Sequence, residues 1–178
     1  MPEPYLDGPL THVEAPKMER LLTEARACPP GAFVEFGVYR GGSAYHLAKI
    51  ARDQGRKLYL FDTFTGMPYQ DKATDRIEAG EFHDTSIDTV RALIPDAIIC
   101  AGVFPATMVD TGPIAFAHID CDQARGVRDA VKHFAPLMVR GGRMMFDDVI
   151  LCNGARIAFD ETIGRERAGE LHDGLVRF

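Results

Sequence analysis

Two short apolar runs in the sequence end in acids, Ile119-Asp120-Cys121-Asp122 and Phe146-Asp147-Asp148. If both runs are neighbouring strands of one sheet, their ends lie about 5 Å apart and Asp120, Asp147 and Asp148 converge on one point. Carboxylates brought that close repel one another unless a cation joins them. Oxygen ligands without histidine or thiolate select a hard ion, so the set predicts Mg²⁺ in preference to Zn²⁺. The competing reading is that the acids cap the helices that follow their strands. Asp122 is the less certain member of the group, because the period-two alternation of a strand no longer fixes its direction once the strand has ended. Cys121 reads as packing between the acids. His118, within an apolar strand, and His46 and His133, on helices, read as hydrogen-bonded residues rather than ligands.

A second constellation lies upstream. Phe33-Val34-Glu35-Phe36-Gly37-Val38-Tyr39-Arg40-Gly41-Gly42-Ser43 reads as a buried strand, a glycine turn and the start of a helix. Glycines let the backbone approach a ligand, and the free N–H groups of a helix start favour electronegative atoms. The spacing is not the G-x-G-x-x-G of a dinucleotide site. Glu35, two residues before the first glycine, could face an ammonium or sulfonium group and so suits a zwitterionic, cationic cofactor. Asp62 ends a second short strand twenty residues beyond Gly42, which is about the separation at which a Rossmann-like fold puts an acid on ribose hydroxyls. The competing role for Asp62 is to cap its own following turn.

The elements that must position these groups follow from the apolar pattern. Helices are predicted over residues 17–27, from Ser43 onward, from Thr85-Ser86 to Pro95, over 126–134 and over 153–163. Strands are predicted over 33–36, 57–61, 97–101, 114–119 and 143–146, with Gly141-Gly142 leading into the last. Strands alternating with helices predict an α/β, Rossmann-like, doubly wound sheet with mostly parallel strands, helices on both faces and a curtailed C-terminal edge. Residues 1–178 read as one domain: a surface arm and helix over 1–31, a cofactor and metal core over 32–163, and an exposed edge strand or a short hairpin turning at Asp173-Gly174 over 164–178. The polar stretch 69–84 reads as a long mobile loop, of the kind used as a lid.

Composition narrows the partners. With 46% apolar and 26% charged residues the chain is an ordinary globular protein, and its formal charge of −6 offers no basic field for nucleic acid. A small-molecule partner is expected instead. The cysteines Cys28, Cys100, Cys121 and Cys152 form no C-x-x-C pair, which argues against structural zinc and for reduced thiols in a cytoplasmic protein. No signal core or membrane span is legible.

Taken together, the acid-x-Gly-x-x-x-Gly turn, Phe61-Asp62-Thr63-Phe64-Thr65-Gly66-Met67-Pro68, residues 80–90, His118-Ile119-Asp120-Cys121-Asp122 and Phe146-Asp147-Asp148 resemble the macrocin O-methyltransferase family. These are metal-dependent class I methyltransferases of natural-product tailoring, and the likeness runs over residues 33–163. It implies an S-adenosylmethionine-dependent, Mg²⁺-dependent O-methyltransferase acting on a hydroxyl of a small molecule or natural-product sugar. Glu35, Gly37, Gly41 and Ser43 would hold the methionine part, Asp62 the ribose, and Gly102, Val103 and Phe104 the adenine side, with Tyr39, Thr63 and Phe64 completing the cofactor contacts. Asp120, Asp147 and Asp148 would hold the metal, and Asp120 and Asp122 are the catalytic candidates, with Asp122 or a histidine as base. Gln123-Ala124-Arg125-Gly126 departs from the family, which usually has a Leu-Tyr pair with an acid there. The segment before the glycine turn is short for the family and the end lacks room for a full antiparallel strand pair, so the pocket is either open or completed by another subunit, and the surface left exposed predicts a homo-oligomer. A nicotinamide-dependent oxidoreductase would need the absent G-x-G-x-x-G. A glycosyltransferase using Asp120-x-Asp122 would leave Glu35 and Asp147-Asp148 without a role. A cofactor-binding module without turnover is the non-enzyme alternative.

Overall fold

The computed structural model of the chain describes residues 3–164 and 174–178. In chain order the elements are strands β1 (Glu3–Pro4) and β2 (Leu10–Thr11), helix α1 (Ala15–Ala27), β3 (Ala32–Phe36), α2 (Gly42–Asp53), β4 (Leu58–Asp62), α3 (Ile87–Leu93), β5 (Ile98–Ala101), β6 (Ile114–Ile119), α4 (Ala124–Phe134), β7 (Met138–Phe146), α5 (Asn153–Thr162) and β8 (Leu175–Arg177). The central strands are apolar along their length because both faces are covered: β6 is buried at all six positions, and β3 and β4 at four of five. On one face Phe33 and Leu60 pack with Met18 and Leu21 of α1, Leu47 of α2 and Val90 of α3. On the other, Val34 and Phe61 pack with Val127 and Phe134 of α4 and Phe159 of α5. The sheet is therefore doubly wound.

Its strand order is β5-β4-β3-β6-β7-β8, parallel throughout except for β8, which runs antiparallel to β7. The chain moves outward from β3 through β4 to β5 and then returns to β6, so the order reverses between β3 and β6. A crevice opens at such a reversal, beyond the carboxyl ends of the strands. Ile119 of β6 pairs with Phe146 of β7, which sets Asp120 and Asp147 side by side at that crevice. No helix among the described residues is long and apolar enough to cross a membrane.

Three expectations need correction. β7 starts at Met138, and Gly141-Gly142 lies inside it rather than before it. The pairing jumps from Ile114↔Met138 to Phe116↔Arg143, an irregularity at which Gly141 takes a φ of 80° that a residue without Cβ adopts readily. The N-terminal arm is not merely a surface segment: Thr11 and Val13 are buried. It lies against the start of α2, where a Cβ on Gly42 would come within 2.5 Å of Thr11 Cβ. At the other end, Leu175 and Val176 of β8 are buried in the two cores rather than exposed. The rest of the expected hairpin, residues 165–173, lies outside the described residues.

Candidate active site

A cavity of about 330 Å³ fills the crevice. Part of its lining is the glycine turn. Asp62 organises it: Oδ2 accepts from Val38 N at 2.7 Å and Tyr39 N at 2.9 Å, and Oδ1 accepts from Phe64 N at 2.7 Å. The carboxylate thus fastens the turn after β3 to the turn after β4, as the capping reading expected, and it also lines the cavity. Gly37 is required by the fold itself, since a Cβ there would sit 1.5 Å from the carbonyl oxygen of Asp120. Tyr39, at φ 50°, donates its hydroxyl to Asp84 Oδ1 at 2.8 Å and so ties the turn to the end of the long loop. Ser43, Thr63, Gly102 and Phe104 also face the cavity.

Glu35 does not. It is fully buried beside His118, its register partner in β6, with Oε1 2.8 Å from His118 Nδ1. Glu35 is the penultimate residue of its strand, so the sheet and helices cover it before the cavity begins. Glu35 Oε2 and His118 Nε2 have no hydrogen-bond partner. Gly41, Phe64 and Val103 are likewise away from the lining: Gly41 faces Leu93 and Val90 of α3, Phe64 packs in the core, and Val103 is exposed.

On the same cavity wall Asp120, Asp147 and Asp148 each bring one oxygen within 4.8 Å of the others. Burial raises the carboxyl pKa of Asp120, and repulsion from Asp147, Asp148 and Asp122 raises it further. Asp148 is raised by burial and then by Asp122 and Asp147. Asp122, at φ 57°, is raised by burial, with the Cys152 thiol opposing the shift as it donates to Oδ1 at 3.5 Å. Its backbone N–H donates to Asp148 Oδ2 at 2.8 Å. Asp147 accepts from Lys17 of α1 on Oδ2 at 3.2 Å, while its Oδ1 is buried without a partner. An orphaned carboxylate oxygen among repelling acids fits a hard divalent cation. The capping reading fails here, because Gln123 and Cys152, the residues at the starts of α4 and α5, make no side-chain cap and none of these four acids supplies one.

The start of α4 is capped from elsewhere. Asp75, on the 63–86 loop, is buried and accepts from Ala124 N on Oδ1 at 2.9 Å and from Asp71 N on Oδ2 at 2.8 Å. Gln123 Nε2 donates to Tyr69 O, and the Arg125 guanidinium lies 4.6 Å from the Tyr69 ring centre. The loop expected to be mobile is therefore strapped across the acid end of the cavity. Sequence reasoning missed Asp75, Tyr69, Lys17 and the arm residues Leu10, Thr11 and His12, which line or brace the site from far along the chain, and it gave Gln123, beside Asp122, no role. Only Asp75 left a trace, as an acid in a loop too long to be slack.

Known proteins share this architecture. A family described as a methyltransferase domain matches residues 34–149. The 8-demethyl-8-(2,3-dimethoxy-alpha-L-rhamnosyl)-tetracenomycin-C 4'-O-methyltransferase of Streptomyces olivaceus is 30% identical over 155 residues, covering 76% of this chain and 59% of its own length. The chain thus spans well under two thirds of that relative. Among solved structures, the O-methyltransferase NovP superposes with a TM-score of 0.71 at 23% identity over 82% of this chain and 69% of its own. The calicheamicin methyltransferase CalS11 does so with 0.70 at 21% identity over 90% and 77%. At that identity the two superpositions speak for the fold, while the match over 34–149, which contains the glycine turn, Asp62 and all four acids, speaks for descent: the chain belongs to the methyltransferase-domain family.

Proposed function

We propose that this chain transfers the methyl group of S-adenosylmethionine to a hydroxyl oxygen of a small molecule, a natural-product sugar being the favoured acceptor, with Mg²⁺ held by Asp120, Asp147 and Asp148. The observation that carries this reading is that Gly37, Ser43 and Asp62 line the same cavity as the acid cluster. Cofactor and acceptor would meet there. The tetracenomycin relative, named for a sugar 4'-hydroxyl, supports the acceptor class.

S-adenosylmethionine supplies an electrophilic methyl carbon when bound. Mg²⁺, when bound, supplies a Lewis acid that lowers the pKa of an acceptor hydroxyl. The chain's own groups do the rest. Asp62, Gly37 and Ser43 would hold the cofactor. Asp120, Asp147 and Asp148 fix the acceptor end, and proximity supplies a large part of the acceleration. Asp122, whose Oδ1 accepts the weak Cys152 thiol bond, would take the hydroxyl proton. The strapped loop and the N-terminal arm keep water from the reacting atoms.

The test is methyl transfer from labelled S-adenosylmethionine to a panel of glycosides with vicinal hydroxyls. Asp147→Ala, or chelator, should abolish turnover and leave S-adenosylhomocysteine affinity within a few-fold, since the acids touch the acceptor end alone. Full activity of the variant in chelator would leave a metal-free methyltransferase and refute the role given to these acids.

A further inference from the structure

Lys17 reaches the acid cluster from the first turn of α1, across 130 residues of chain. Its Nζ donates to Asp147 O at 2.9 Å and to Asp147 Oδ2 at 3.2 Å. The two side chains are 22% and 12% exposed, dry enough for the charge to act over the whole cluster. Among the described residues no other ion pair reaches Asp120, Asp122, Asp147 or Asp148. We propose that Lys17 is the resident counter-cation of this cluster: it offsets the mutual repulsion of the carboxylates in the cation-free protein, and its own charge sets the divalent affinity below what the bare acids would give. This inference rests on the reading that Asp120, Asp147 and Asp148 hold a divalent cation.

A tether and a counter-charge predict opposite signs. If Lys17 served only to orient Asp147, its loss would weaken the cation about 10- to 100-fold, as loss of outer-shell partners does. If it serves as counter-charge, its loss removes a repulsion and the cation binds more tightly. The geometry points to the second. Asp147 is already held by its backbone, with its N–H donating to Ile119 O at 3.0 Å directly beyond the Ile119↔Phe146 pair. Lys17 occupies Oδ2 and leaves the buried Oδ1 without a partner, so it balances the charge of Asp147 without consuming the oxygen a metal would use.

The experiment titrates the metal-stripped full chain with Mn²⁺, following the free-ion signal by electron paramagnetic resonance, with S-adenosylhomocysteine calorimetry in parallel. Lys17→Met should bind Mn²⁺ roughly ten-fold more tightly than wild type. Lys17→Gln, which can still donate to the Asp147 carbonyl, should do the same, and the charge-retaining Lys17→Arg should stay close to wild type. The cation-free melting temperature of both neutral variants should fall while S-adenosylhomocysteine affinity holds. Unchanged or weaker Mn²⁺ binding by the neutral variants would overturn the counter-cation role. If wild type binds no Mn²⁺ at all, the cation reading falls and takes this inference with it, whereas S-adenosylhomocysteine binding would still stand for the cofactor end.

Discussion

Glu35 and Asp62, carboxylates near the ends of the neighbouring strands β3 and β4, do different work. Asp62 ends β4 and spends its two oxygens on three backbone N–H groups while remaining at the cavity wall. Hydrogen bonds to an ionised acceptor contribute about 1.5–3 kcal/mol each, so Asp62→Ala should both unfasten the glycine turn and weaken S-adenosylhomocysteine at least about ten-fold by calorimetry. Unchanged binding would remove Asp62 from the cofactor site. Glu35, one position deeper in its strand, is committed to His118. Glu35→Gln keeps an acceptor for the His118 ring and should leave S-adenosylhomocysteine affinity within a few-fold. Glu35→Leu strands a buried histidine and should cost about 1–3 kcal/mol in denaturant unfolding. A large loss of cofactor affinity in Glu35→Gln with stability intact would restore the ammonium contact that the sequence suggested.

Two elements owe their places to single buried polar groups. Asp75 straps the 63–86 loop to the start of α4. Asp75→Ala removes a helix cap worth about 1 kcal/mol and leaves Ala124 N and Asp71 N unpaired inside the fold. For a chain of this length each kcal/mol lowers the melting temperature by roughly 2–4 °C. Tryptic cleavage after Lys72 or Arg76, both within the loop, should accelerate in step with that loss. Unaltered cleavage would mean that other contacts hold the loop. The N-terminal arm is seated on His46 of α2, whose Nε2 lies 3.0 Å from Tyr5 O and whose ring meets that of Tyr5 edge-on. Burial holds the His46 imidazole below its ordinary pKa. The folded state therefore favours the neutral ring, and its contribution is present above the unfolded value near 6.5 and is lost as the pH falls through the lower folded value. The protection of the Gly8 N–H, which donates to Tyr5 O, measured relative to the pH-dependent intrinsic exchange rate, should fall on mild acidification in wild type and lose that dependence in His46→Gln. Equal slopes in the two proteins would rule His46 out as the cause.

At the scale of the whole molecule the expected homo-oligomer now has a different basis. The C-terminal strand no longer argues for it, because Leu175 and Val176 are buried within the chain. Among the described residues the most exposed large apolar side chains are Leu6 at 77%, Leu151 at 61% and Ile150 at 54%, and Leu151 lines the cavity. Light scattering at working concentration should report a dimer or larger, and Leu151→Asp should shift it toward monomer. A monomeric wild type would end the expectation.

The sequence by itself determined the doubly wound sheet, the positions of nearly all its strands and the meeting of Asp120, Asp147 and Asp148. Each of these follows from local pattern: apolar runs covered on both faces mark parallel strands, and acids directly after such runs must emerge at the same edge of the sheet. Tertiary structure alone decided that Glu35 pairs with His118 instead of a ligand, that Asp75 closes the long loop onto α4, and that Lys17 balances Asp147. Those contacts join residues 49 to 130 positions apart. Periodicity reports which face a side chain occupies, whereas its partner is fixed by strand register and helix docking, which belong to the packed molecule and leave no spacing in the chain to read.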